Sequence, residues 1–161
     1  MTTKKQVTME RTFDAALSDV WDLWTTKEGI ESWWGPEGFR VEVRSIDLRP
    51  GGKLAYAMIA VAPEMVAFMK SAGMPVATEN HLTYREVVAQ KLLVYDHSTD
   101  FIKDVEPYNV THRVELFPSG DSVRMVLTFD AMHAEEWTQR AAAGWEQELG
   151  KLGRVLATKK R

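Results

Sequence analysis

The chain opens on alternation. Between residues 4 and 13, Val7, Met9, Arg11 and Phe13 share one parity and Thr8, Glu10 and Thr12 the other. Period two predicts a half-buried strand, with Arg11 the anomaly on its apolar face. The period then changes. Ser18 is a capping residue type, and Val20, Trp21 and Trp24 behind it fall on one helical stripe. Gly29 breaks that stripe. Ile30, Trp33 and Trp34 predict a second short helix, stopped by Gly35-Pro36. Alternation returns from Phe39 to Leu48, Pro50-Gly51-Gly52 turns the chain, and Lys53 to Val61 reads as the next strand.

Residues 63–75 follow neither strand nor simple turn. Pro63 suits a helix's first position. Met65, Phe68, Met69 and Ala72 repeat at helical spacing, and Gly73 and Pro75 end the pattern. An amphipathic helix inserted between strands is expected at about 63–73. Strand patterns resume at His81 to Val88, Leu92 to Ser98, Val110 to Phe117 and Ser122 to Asp130, the last two joined through Pro118-Ser119-Gly120-Asp121. The final element is a helix of about six turns, from about Ala134 to Thr158. Trp137, Ala141, Trp145, Leu149, Leu152 and Leu156 mark its apolar side. Gly144, Gly150 and Gly153 weaken it, which suggests close approach to a sheet or a locally weak helix.

Strand, two short helices, six strands and a long helix imply an α+β layer architecture. Only a sheet offers enough surface to bury the tryptophan–leucine stripe, and a twisted antiparallel sheet wraps such a helix. A cavity forms wherever the two fail to meet.

Composition narrows the function. The chain has 161 residues, which suits one domain over 1–161. Net charge is −3, so no basic excess speaks for nucleic acid. There is no cysteine, which removes disulfides and thiolate chemistry. Met1-Thr2-Thr3-Lys4-Lys5 carries no hydrophobic leader, and the apolar run Ala55 to Ala62 is too short to insert in a membrane. A cytoplasmic location is expected. Six tryptophans and eight methionines supply either a core or an adaptable cavity lining.

Ordered short motifs add a resemblance. Arg11-Thr12-Phe13-Asp14-Ala15, Val20-Trp21, Trp33-Trp34-Gly35-Pro36-Glu37-Gly38-Phe39, Asp47-Leu48-Arg49-Pro50-Gly51-Gly52, Tyr84-Arg85-Glu86-Val87-Val88 and Gly144-Trp145 span nearly the whole chain. The chain thereby resembles the activator of heat-shock-protein-90 ATPase homologue-like family, in the START-like or SRPBCC superfamily. The resemblance implies a helix-grip fold: a curved antiparallel sheet around a long C-terminal helix. It implies no particular reaction, because superfamily members include binders of lipids, sterols, hormones or polyketides, cyclases and chaperone partners. The insert at 63–75 departs from the shorter connection typical of the family.

No catalytic or nucleotide-binding motif is present. The four histidines, His81, His97, His112 and His133, have no helical metal spacing. No cofactor or metal is expected. His112 alternates with Val110, Val114 and Leu116 and is expected to face the interior. Of Asp96 and His97 only one can do so. Tyr84 and Glu86 share a parity, and Arg11 is the cation expected to pair with Glu86. Met65 and Met69 form either a mobile lid or plain packing. The expected ligand pocket is lined by Trp34, Phe39, Met58, Met65, Phe68, Met69, Tyr84, Glu86, Tyr95, His97, His112, Met125, Trp145 and Leu149.

The expected function is binding of a small hydrophobic or amphipathic molecule. The alternatives are a cyclase- or hydrolase-type enzyme using a pocket histidine and carboxylate, and a chaperone ATPase-activating domain. The chaperone role is disfavoured because the fold consumes the whole chain. Homodimerisation stays open.

Overall fold

The computed structural model describes residues 5–100, 102 and 104–159; the stretch Met1–Lys4 read above lies outside them. The elements run β1 (Gln6–Phe13), α1 (Leu17–Thr25), α2 (Lys27–Trp33), β2 (Phe39–Ile46), β3 (Lys53–Ala60), α3 (Pro63–Ser71), β4 (Ala77–Val88), β5 (Leu92–Thr99), β6 (Tyr108–Ser119), β7 (Ser122–Asp130) and α4 (Glu135–Thr158). All pairings are antiparallel, in one 7-stranded sheet of order β1-β7-β6-β5-β4-β3-β2. The sequence-based α+β expectation, a sheet carrying one long C-terminal helix, describes this architecture.

The first helices start and stop differently from the pattern. Ala16, not Ser18, precedes α1, and no side chain caps it. Thr26 separates α1 from α2: its hydroxyl donates to the Asp22 carbonyl at 2.8 Å and accepts the Gly29 N–H at 3.0 Å. Gly29 therefore lies inside α2 rather than breaking α1. It is glycine because the two helices meet there; a Cβ would stand 2.2 Å from the Asp22 carbonyl oxygen.

Trp24, Trp33 and Ile30 are fully enclosed between the helices and the sheet, and Leu149, Leu152 and Leu156 bury the α4 stripe. Trp145 stacks on Trp24 with centroids 5.8 Å apart. The α4 glycines do not mark close approach to the sheet: nothing lies within 4 Å of a Cβ at Gly144, and Gly153 meets Phe13 only at 3.6 Å.

α3 begins with Pro63 and stops where Gly73 turns left-handed at φ +70° and the Met74 N–H returns to the Met69 carbonyl at 2.8 Å. Its apolar stripe splits. Met69 is buried, whereas Phe68 is 58% exposed. The Gly38 carbonyl accepts the N–H groups of Val61 and Ala62, and the Met65 side chain lies where a Gly38 Cβ would stand. α3 thus leans on the loop between α2 and β2.

Candidate functional site

The polar groups of the interior gather around Tyr95. On the sheet face toward α4, Tyr95 of β5 stands in register with Tyr84 of β4 and His112 of β6, and His112 with Phe129 of β7. The His112 ring is therefore clasped by its cross-strand neighbours. It lies 7° from the Tyr95 plane at 4.8 Å and 22° from the Phe129 plane at 5.6 Å. Trp145 of α4 closes over it at 5.7 Å. The Trp34 ring lies 5.3 Å from that of Tyr56 and 6.4 Å from that of Tyr95.

Backbone acceptors fix both histidine tautomers. His112 Nδ1 lies 3.0 Å from the Val110 carbonyl, which can only accept, so Nδ1 carries the proton and Nε2 a lone pair. His97 Nδ1 donates likewise to the Ser98 carbonyl at 3.0 Å, and its Nε2 accepts the Tyr56 hydroxyl at 2.7 Å. Burial opposes a positive charge on either ring. It lowers His97, and it takes His112 down to about 3, with the neighbouring His97 adding to the effect. Burial also raises the phenols of Tyr56, Tyr84 and Tyr95.

Three of the tryptophans differ in one respect. Trp24 Nε1–H donates to Met125 Sδ at 3.3 Å and Trp33 Nε1–H to the Leu23 carbonyl at 2.7 Å. Trp34 Nε1, buried beside them, has no partner among the described residues, and neither does the buried Tyr84 hydroxyl.

A strap of hydrogen bonds holds the Trp34–Gly38 loop to α4. Glu148 accepts the Gly35 N–H at 2.8 Å, Lys151 donates to the Gly35 carbonyl at 2.9 Å, Gln147 accepts the Glu37 N–H at 3.0 Å and Arg154 donates to Glu37 at 2.6 Å. Burial raises the Glu148 carboxyl to about 7, against the opposing effects of the Gly35 N–H and the Lys151 charge. The Lys151 ammonium is lowered, again chiefly by burial.

The outer sheet face takes Asp96 and Glu86. Asp96 points there, bound to Arg85 and Thr111 at 2.6 Å each. His97 faces inward, so the two do not make an acid–base pair. A bulge at Arg85 interrupts the parity of Tyr84 and Glu86: Tyr84 opposes Tyr95, but Glu86 opposes Val94 and is exposed. Arg11 does not pair with Glu86; it binds Glu146 of α4. The structure brings together Trp34, Tyr84, Tyr95, His97, His112 and Trp145, with Met125 and Leu149 buried in the same core. Phe39, Met58 and Met65 are half-buried, and Phe68 and Glu86 face solvent.

The sequence pattern does not single out Tyr56 or Glu148. Glu148 had a signal: it lies three residues after Trp145 and four before Leu152, on the buried stripe.

A cleft of about 830 Å³ lies at the far end, lined by residues of the β1–α1 connection, the β6–β7 turn, Leu156 and Lys159. A smaller hollow of about 270 Å³ lies between α1, α2 and the end of α4. Neither includes an expected pocket residue. Among the described residues no group of three histidines or carboxylates is placed to hold a metal, and no helix is long and apolar enough to cross a membrane.

Comparison with known proteins gives a consistent likeness. The family model described as Activator of Hsp90 ATPase homolog 1-like protein matches residues 14–157. A crystal structure of a Chromobacterium violaceum protein superimposes with TM-score 0.76 at 18% identity, covering 94% of this chain and 96% of that one. The AHSA1 protein of Silicibacter pomeroyi superimposes at 0.75 with 20% identity, over 97% of this chain and 100% of that one. An AHSA1-like protein of Aeromonas hydrophila gives 0.71 at 19% identity, over 96% and 94%. No curated protein is a significant match to the sequence.

Proposed function

Because the chain belongs to the Activator of Hsp90 ATPase homolog 1-like family, we propose that it is a binding protein for a small apolar or amphipathic molecule, held between the sheet and α4. The observation that carries this reading is the pair of orphaned polar groups, Trp34 Nε1 and the Tyr84 hydroxyl, inside an aromatic interior. Each buried group without a partner costs about 1–3 kcal/mol. Neighbouring tryptophans in the same layer are satisfied by the protein itself. A ligand that supplies the missing bonds recovers that cost.

In this reading the rings pack closely about the ligand, and it enters by displacement of part of the lining. The Trp34–Gly38 loop is the part suited to it. It carries Trp34, has left-handed glycines at Gly35 and Gly38, and is held to α4 by replaceable polar bonds. α3 rests on the same loop, so Met65 and Met69 act in this reading as part of the lid. Native mass spectrometry of the chain from its own cells tests the proposal. A retained small molecule that leaves on denaturation is expected; a chain that is always bare counts against it.

A further inference from the structure

The groups around Tyr95 have a definite hydrogen-bonding character. Trp34 Nε1–H can only donate, and the Tyr84 hydroxyl can donate or accept; both lack partners among the described residues. His112 offers the opposite sense. Its Nδ1–H is committed to the Val110 carbonyl, so its Nε2 presents a lone pair on the ring edge remote from that bond. The stacking of Tyr95 and Phe129 on the two faces of the ring holds it in this orientation. Tyr84 and His112 flank Tyr95 in register, and Trp34 adjoins it. Acceptor and donors therefore sit on residues that border one aromatic ring.

Charge is missing from this set. The cations of the surrounding elements are engaged elsewhere: Lys151 with the Gly35 carbonyl, Arg154 with Glu37 and Arg11 with Glu146. Glu148 is the carboxyl facing the tyrosines, and it is itself bound to the Gly35 N–H. A ligand carboxylate here would lose its hydration without gaining a cation.

We propose that this interior selects an uncharged aromatic or alicyclic molecule bearing a hydroxyl group, whose O–H donates to His112 Nε2 and whose oxygen accepts from Trp34 Nε1–H or the Tyr84 hydroxyl. This rests on the reading of the interior as the binding site and specifies the chemistry it accepts. A hydroxyl is the smallest group that is donor and acceptor at once, and it satisfies an acceptor and an orphaned donor together. A ketone or ether leaves His112 unanswered; a hydrocarbon leaves both sides so.

The test is a panel of four probes of one shape: 1-naphthol, naphthalene, 1-naphthoate and 1-naphthylmethylammonium. Affinities are measured by calorimetry on the unmutated chain, so the comparison of probes depends on no variant folding. Proton–nitrogen NMR follows the Trp34 indole N–H, assigned with Trp34→Phe. Expected are binding of 1-naphthol about tenfold or more tighter than the other three, the ratio for one unpaired buried group, and a downfield shift of the Trp34 indole proton. His112→Phe should narrow the difference between 1-naphthol and naphthalene without abolishing it, because the donors on the other side are intact. Equal binding of 1-naphthol and naphthalene to the unmutated chain, or tighter binding of either ion, overturns the hydroxyl selectivity while leaving the interior as the site. Failure of all four to bind, or binding that leaves the Trp34 signal unmoved and is unchanged by Tyr84→Phe, overturns the interior site as well.

Discussion

Two side chains with opposite pH responses face the same interior. His112 is held down at about 3 against an ordinary 6.5, so the unfolded chain takes up a proton that the folded chain refuses. Stability from this group is complete above 6.5 and is lost as the pH falls toward 3. Glu148 is raised to about 7 from 4.5, so the folded chain keeps a proton that the unfolded chain releases. Its contribution is complete below 4.5 and is lost as the pH rises through 7. Between about 4.5 and 6.5 the two slopes oppose one another. Glu148→Gln should therefore leave stability falling on acidification below 6.5. His112→Asn should tilt the profile toward a fall as the pH rises from 4.5 to 7, with His97, also lowered by burial, still opposing it. Urea unfolding at stepped pH reads both; identical profiles for the two variants would mean that neither group titrates as its burial implies. At this scale the sequence was half legible. Parity placed His112 correctly, because β6 runs without irregularity around it. Parity failed for Glu86, because a bulge at Arg85 leaves no mark on the alternating Tyr-Arg-Glu pattern. Glu148 lay on a readable stripe, but a glutamate among leucines invites assignment to the solvent side.

Elements differ in how closely their backbones meet, and two glycines separate that effect from helix propensity. Gly29 sits where α1 and α2 touch, and a methyl there meets backbone atoms. Gly29→Ala should destabilise by about 1–3 kcal/mol, as overpacking does. Gly144 has open space around it. Gly144→Ala should gain up to about 1 kcal/mol, the helix-propensity difference. Denaturant unfolding of the pair checks both signs together. The sequence offered no way to tell these glycines apart, since each interrupts an apolar helical repeat and only the neighbouring chain decides. α3 supplies a dynamic counterpart. With Met69 its single buried hydrophobic residue, it has little to hold it closed. Amides of 65–72 should exchange faster than those of 110–117 and slow when a ligand such as 1-naphthol binds. Protection equal to that of β6, unchanged by ligand, would make α3 ordinary packing.

The whole molecule is held together at the meeting of α4 with the tryptophan helices. Trp145 touches Trp24, Trp33 and His112 at once, joining α4 to α1, α2 and the sheet. Trp145→Ala should cost about 3–5 kcal/mol in chemical unfolding, the range for a truncated core aromatic; a loss below about 1 kcal/mol would place the join elsewhere. The overall plan was the most legible level, because a long apolar stripe following six strand patterns has only one sheet to lie on. The order of the strands across that sheet has a different kind of consequence. β1 is made first, yet its ladder partner is β7, so that Gln6 faces Asp130. During synthesis the opening strand waits, edge bare, while more than a hundred residues are added. β2 to β7 can zip as successive neighbours in the meantime, and the N-terminal strand then closes the largest loop last. Pairings so distant in sequence are slow to form, and a nascent chain with an unpaired strand is open to the wrong partner. Between the synthesis of β1 and that of β7 the first strand therefore has no ladder partner to cover its edge.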